Sequence, residues 1–346
     1  MWTVGLERSQ PIEIDAGSTV WTFSANGEYL MGGDKCRIRV WRVKDGEQVA
    51  SMYTGIVKCL AVSNDGRWIA AGTEKHDACV WDATTYKQVW KHSGDDSYGC
   101  IDFSPDSTRL VAATKGKAVV GDAATGKQEQ TLNHVYCVIA AKYSPQGDRI
   151  ATATGHSVHV WDSNDGRLLV DINVNVTSRY NTGILWLNDH LLIASDNRIK
   201  EFNASTKSLI SEWPVPSGNS YSSIALPSNK EFIAYSTERT VAFLDTSTHS
   251  QLALIHCPQD VRSIAFSPDD RFLAIGGWDG KISIERLSRI IVSGFSLDHD
   301  ILEQLCSSFG VKSNPVIPSA PHPSGTCYPQ RRRCSRLVET RPAGKR

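Results

Sequence analysis

The 346-residue sequence contains no CxxC pair and no other spacing that suits a metal ion, although it carries nine cysteines. That pattern excludes a zinc-ribbon core, and in a reducing compartment such scattered thiols are expected to be small buried hydrophobes. Catalytic signatures are missing as well: no GxSxG, HExxH or GxGxxG occurs. The nearest approach to a phosphate loop, GGWDGKI at 276–282, has the wrong glycine spacing and puts Ile where a Ser or Thr must reach the metal. No apolar run approaches the roughly 18 residues of a membrane span, and MWTVGLERSQ at the start has no stretch suited to a signal peptide. An intracellular protein is therefore expected, cytoplasmic with the nucleus as a second location. The formal net charge is zero, which argues against a general polyanion-binding surface. The balance is uneven, however, because eight Lys or Arg face one acid, Glu339, from Gln304 onward.

What the sequence does have is repetition. The stretch from Val138 to Ile172 reads as four short apolar runs, VIAAKYS, RIATAT, SVHVWD and RLLVDI, separated by turn residues. Four strands joined by tight turns make one antiparallel sheet, and a sheet of about 35 residues buries too little apolar surface to stand alone. Copies of its third strand recur along the chain, with Trp41, Trp81, Gly121, Trp161, Phe202, Leu244 and Glu285 at the aligned position. The spacings are 40, 40, 40, 41, 42 and 41 residues. The first strand recurs in step, as in TVWTFS, VKCLAVS, YGCIDFS and VRSIAFS, each followed by a turn such as Ser-Pro-Asp or Asn-Asp-Gly.

This order of apolar strand, Ser-Pro-Asp turn, strand, tight turn and strand ending in Trp-Asp resembles the WD-repeat β-propeller family. The resemblance covers about residues 18 to 287 in seven copies, starting near 18, 57, 98, 138, 182, 221 and 261; the fifth and sixth have lost both the Trp-Asp pair and the Ser-Pro-Asp turn. It implies an all-β fold over residues 1–296, a seven-bladed propeller of four-stranded antiparallel sheets around a channel. The last sheet then needs an outer strand, from PIEI at 11–14 or RIIVS at 289–293; the N-terminal segment is preferred because exchanging strands between chain ends removes an exposed edge. WTVGL at 2–6 is a further strand candidate. Residues 298–310 read as a short helix, and the rest of 297–346, with six of the fourteen prolines and a basic run at 331–333, as a disordered tail.

Candidate sites follow from the same resemblance. Its top face is formed by the start of each first strand and by the turns between second and third strands. Those positions include Lys58, Lys75, His76, Lys115, His156, Arg239, Arg262 and Trp278, a moderately basic set that suits an acidic or phosphorylated peptide. Trp278, next to Asp279 in a tight turn, is either a binding anchor or packs on the neighbouring turn. His92, His134 and His256 each fall in the turn just before a first strand, near where the family carries a Gly-His pair, and are expected to be structural. Among first-strand residues facing the channel, Asp102 and Lys142 are the charged exceptions. The expected function is a non-catalytic protein-interaction scaffold with no catalytic residue, cofactor or metal. Two other readings stay open: an adaptor for nucleic acid or another polyanion acting through QRRRCSR at 330–336, and an enzyme with its site in the channel.

Overall fold

The computed structural model describes residues 11–287 except 18–19, 76, 95–97, 175–182, 196–197 and 215–222. The chain separates into two units, Met1–Phe295 and Ser296–Arg346, and the second lies wholly outside the described residues. So do the strands considered at 2–6 and 289–293, the helix expected at 298–310 and the tail.

Every described strand is antiparallel to its neighbours, and the strands form six sheets. Sheet 1 holds Val20–Phe23, Tyr29–Gly33, Arg37–Arg42 and Gln48–Tyr53. Sheet 2 holds Val57–Val62, Trp68–Thr73, Asp77–Asp82 and Gln88–Ser93. Sheet 4 holds Gly183–Leu187, His190–Ser195, Arg198–Asn203 and Leu209–Pro214, and sheet 5 holds Ile224–Ala225, Phe232–Thr237, Thr240–Asp245 and Gln251–His256. Sheet 6 orders Val261–Phe266, Phe272–Gly277 and Lys281–Arg286, with Ile12–Asp15 on its outer edge. Ile12 pairs with Ile284 and Ile14 with Ile282, so the N-terminal strand completes the sheet built from the last repeat.

Sheet 3 corrects the expectation of seven separate four-stranded sheets. It has six strands, Cys100–Phe103, Arg109–Asp122, Gln128–Tyr143, Arg149–Thr154, Ser157–Asp162 and Leu168–Asn173, and spans the third and fourth repeats. The physical reason is that two of its strands run without a break. Gln128–Tyr143, 16 residues long, pairs with 117–121 through its first half and with 150–154 through its second. Arg109–Asp122 contains Gly116 at φ +85°, a backbone conformation that favours glycine. Beside it the Thr114 hydroxyl donates to the Lys117 carbonyl at 3.1 Å, as Thr154 donates to Ser157 across the turn of the next hairpin. The Ala123 N–H donates to the Thr108 carbonyl at 2.8 Å, matching Ala83 to Arg67 and Ser163 to Asp148, both at 2.9 Å, where a second and third strand pair.

Each sequence pattern has a structural cause. The second strands are buried along their length, as in Trp68–Thr73 and Phe232–Thr237, hence their Ala, Gly, Ser and Ile. The outer strand Gln88–Ser93 is almost wholly exposed and correspondingly polar. The Ser that opens each Ser-Pro-Asp-like turn is an internal staple. Its hydroxyl donates to the turn acid and accepts a backbone N–H five residues on, as with Ser104 to Asp106 at 2.6 Å and Arg109 N to Ser104 at 2.9 Å. Ser63 and Ser267 repeat the arrangement. A register shift recurs before the aromatic position, between Val40 and Trp41, Val80 and Trp81, Val160 and Trp161, and Glu201 and Phe202. A bulge there re-aims the side chain, and Trp41, Trp81 and Trp161 are buried between sheets.

Candidate functional site

The first strands begin, and the turns after the second strands lie, at one end of every sheet. Val57 pairs with Thr73, Cys100 with Ala113, Val138 with Thr154 and Val261 with Gly277. Of the eight residues expected there, the structure joins Arg239, Arg262 and Trp278. Trp278 sits in the turn from Gly277 to Gly280, closed by the Gly280 N–H donating to the Gly277 carbonyl at 3.2 Å, and the Asp279 carboxylate accepts the Lys281 N–H at 3.1 Å. Gly280 takes φ +81°, which turns the chain sharply and leaves the Trp278 ring 48% exposed. The Arg262 guanidinium lies 4.4 Å from the centre of that ring, a cation–π contact.

Asp260 ties the group together. Its carbonyl accepts the Trp278 N–H at 3.0 Å, and its carboxylate accepts from Arg239 Nε at 3.2 Å. The Cys257 N–H donates to the Arg239 carbonyl at 2.7 Å, and the Val261 N–H donates to the Glu238 carbonyl. A cavity of about 240 Å³ opens beside this cluster, bounded by His256, Cys257, Pro258, Gln259, Gly277 and Asp279 among others. Burial, with Glu285 adding to it, pushes the Cys257 thiol up to about 11, so it stays protonated and is no nucleophile near neutrality.

The other expected residues stand apart. Lys58 forms an ion pair with Glu74 at 3.4 Å, Lys75 and Lys115 are exposed, and the His156 ring lies 4.1 Å from that of Tyr136. His76 lies outside the described residues. Glu74, Tyr136 and above all Asp260 are what sequence reasoning missed. An acid two residues before Arg262 was the available signal, and reading only the basic positions passed over it. With Lys58 and Arg239 engaged by carboxylates, this end of the sheets is mixed in charge.

Between two neighbouring first strands, Lys142 Nζ lies 2.9 Å from Asp102 Oδ1, and Asp102 Oδ2 accepts the Tyr143 N–H at 3.0 Å. The Asp102 charge, against the opposing effect of burial, holds the Lys142 ammonium firmly protonated. Burial raises the Cys59 and Cys100 thiols, and among the described residues no group of three His, Cys, Asp or Glu could hold a metal. The histidines need a correction: His92, His134 and His256 lie within the outer strands Gln88–Ser93, Gln128–Tyr143 and Gln251–His256, because those strands run further than the turn residues suggested. His134 packs edge-on against Trp161 at 5.2 Å and against His159 at 4.9 Å. Trp161 Nε1 donates to Thr152 Oγ1 at 2.8 Å.

The comparisons with known proteins agree with this geometry. The family model "WD domain, G-beta repeat" matches residues 46–82, 126–162 and 250–284. Three stretches of the chain are thus WD repeats, which supports a WD-repeat β-propeller. It is similar to WD repeat-containing protein 18 of Danio rerio, 28% identical over 176 residues, which cover 44% of this chain and 39% of that protein. The crystal structure of the Myceliophteria thermophila Cps50 (Swd1) β-propeller domain superposes with a TM-score of 0.68 at 17% identity, covering 77% of this chain and 95% of the other, a likeness of fold. The matched WD repeat at 126–162 lies within sheet 3, whereas the other two are offset from the sheets. The one at 46–82 starts on the outer strand of sheet 1 and ends on the third strand of sheet 2, and the one at 250–284 ends on the third strand of sheet 6. That offset is why the WD repeats alone leave sheet 6 one strand short and Ile12–Asp15 supplies it. Trp161 and Thr152 supply two members of the WD hydrogen-bond network; His134 meets the tryptophan ring by packing, and neither of its ring nitrogens has a partner.

Proposed function

We propose that this WD-repeat chain is a non-catalytic protein-interaction scaffold whose contact surface centres on Arg262 and Trp278. The observation that carries the reading is a half-exposed tryptophan presented by a tight turn, with a guanidinium stacked on it and a second arginine fixed alongside. Trp and Arg are among the residues that most often dominate binding energy at protein interfaces, where they fill well-packed, desolvated pockets. The adjoining cavity, lined by Gly277 and Asp279 on either side of Trp278 in sequence, can take a partner side chain. Arg262, with exposed Lys75 and Lys115 on the same end of the sheets, suits an acidic or phosphorylated segment. Lys58 and Arg239 contribute less, since Glu74 and Asp260 already meet them.

The same reading takes the ring as seven-bladed, with sheet 3 as two adjacent blades. Its support is the reversal at Gly116, the Ala123–Thr108 bond that matches a second-to-third strand pair, and seven recurrences of the strand pattern.

The test is affinity capture with the wild-type chain beside a Trp278→Ala, Arg262→Ala double variant. The variant is expected to keep the wild-type circular dichroism and unfolding midpoint while losing at least one captured protein. Two folded proteins that recover identical partners would refute the reading.

A further inference from the structure

The opposite end of the sheets carries a second site. After the aromatic position, the third strand ends on Asp82, Asp122, Asp162, Asn203 or Asp245. In each case the side-chain oxygen accepts an N–H of the following turn, from Thr85, Thr125, Asn164, Thr206 or Thr248 at 2.7 to 2.8 Å. Two copies depart, and both carry arginine: Arg42 and Arg286. They fall on sheets 1 and 6, which pack together where the ring closes, Trp21, Ile14, Ile282 and Ala274 sharing one buried cluster. In sheet 1 the turn is served by Asp45, which accepts the Glu47 N–H at 3.1 Å and receives Arg42 Nη1 at 2.8 Å.

Both arginines line one groove of about 670 Å³, together with Lys44 and Arg271. Its walls also hold Ile12, Val43, Phe272 and Ile284, and the acids Glu28 and Asp269. Lys44 and Arg286 are exposed and have no ion-pair partner among the described residues. Two other junctions are laced at their turns. Asp270 accepts the Ser228 and Asn229 N–H groups between sheets 5 and 6, and Asn64 Nδ2 donates to the Pro105 carbonyl between sheets 2 and 3. At the closure, Gly27 faces Asp269, and no bond joins their two turns among the described residues.

We propose that this closure groove binds an acidic peptide segment of a partner protein that also offers an apolar side chain. Guanidinium groups match carboxylates in a planar, two-point geometry, and at this seam alone the strand-end aspartates that would repel a carboxylate are replaced by arginine. The Ile12, Val43, Phe272 and Ile284 wall gives the apolar side chain its seat. Two features separate this ligand from a nucleic acid: the basic residues adjoin an apolar wall instead of forming a continuous positive stripe, and the whole chain has no net charge. The chain's own C-terminal region is the wrong sign, with eight Lys or Arg against one acid from Gln304 onward.

The experiment is fluorescence polarisation with the full chain and a labelled peptide of Glu and Asp flanking one Leu-Phe pair. Its controls are the same peptide with Ser for Leu-Phe, and a single-stranded oligonucleotide. An Arg286→Glu, Lys44→Glu variant is expected to bind the acidic Leu-Phe peptide about tenfold or more weakly. A Lys87→Glu, Lys127→Glu variant, which makes the same charge change in the corresponding turns of sheets 2 and 3, is expected to bind it as the wild type does. Arg42 is left intact because it braces its own turn. No binding by the wild type, equal binding of the Ser peptide or the oligonucleotide, or binding unchanged by the Arg286 and Lys44 substitutions would each overturn the proposal.

Discussion

Gly276 lies where sheet 6 meets sheet 1, and the Trp21 ring occupies the space a side chain would need. A Cβ at Gly276 would fall 1.9 Å from Cη2, 2.1 Å from Cζ2 and 2.5 Å from Cζ3 of Trp21. Neither side can retreat cheaply. Trp21 is 6% exposed in a closed cluster, and Gly276 is held in register to Ser263 on one side and Ile282 on the other. Overpacking of this kind costs about 1–3 kcal/mol, and a rigid ring facing a doubly paired strand places Gly276→Ala near ~3 kcal/mol. Trp21→Phe shortens the ring and should by itself cost about 1–2 kcal/mol of lost burial and cavity. The double variant should then be more stable than the sum of the two losses implies, with a coupling of about 1–2 kcal/mol. Urea unfolding followed by fluorescence and circular dichroism measures all four proteins. If Gly276→Ala lies within about 0.5 kcal/mol of wild type, or the two changes simply add, the packing argument is wrong.

Three other outcomes are expected. Ile14→Ala in the closing strand removes a side chain that is 4% exposed, and should cost about 2–4 kcal/mol by urea unfolding, whereas Glu13→Ala on the same strand should be nearly neutral. His134 is held at a pKa of about 4 by burial, with the nearby His159 adding to the shift, and burial also lowers His159. Both folded values lie below the ordinary 6.5, so their stabilising contribution is full above pH 6.5 and is lost as pH falls toward 4; His134→Phe should flatten that part of the stability profile. Lys207 adopts φ +64° in an exposed turn where Gly126 and Gly166 serve the equivalent sheets. Lys207→Gly should therefore raise the thermal midpoint, by up to about 1 kcal/mol of stability. An unchanged midpoint would show that the turn carries no strain.

The strand pattern was legible because a four-stranded sheet repeats its demands. The turn serine must staple the first hairpin, the second strand must be small and apolar, and the aromatic after each bulge must fill the gap between sheets. Ser104, Ala112 and Trp161 are legible for those reasons. The histidines were not, since the His134 ring meets Trp161 only because strand Gln128–Tyr143 runs 16 residues without a turn, which no local residue type announces. The candidate surface was legible in half. Trp278 and Arg262 stand out as residue types in a turn and at a strand start, but their stacking, and the hold of Asp260 on Arg239, depend on bringing residues 239, 260, 262 and 278 together.

The sequence by itself determined the repeat unit with its strands and turns, because those rest on period, turn chemistry and alternation, which act within about 40 residues. Only the tertiary structure decided which chain end completes sheet 6, how the third and fourth repeats join into one sheet, and which charges meet. Arg42 and Arg286 are two departures from a pattern when read along the chain. They become one basic groove only because ring closure sets the first and last repeats side by side.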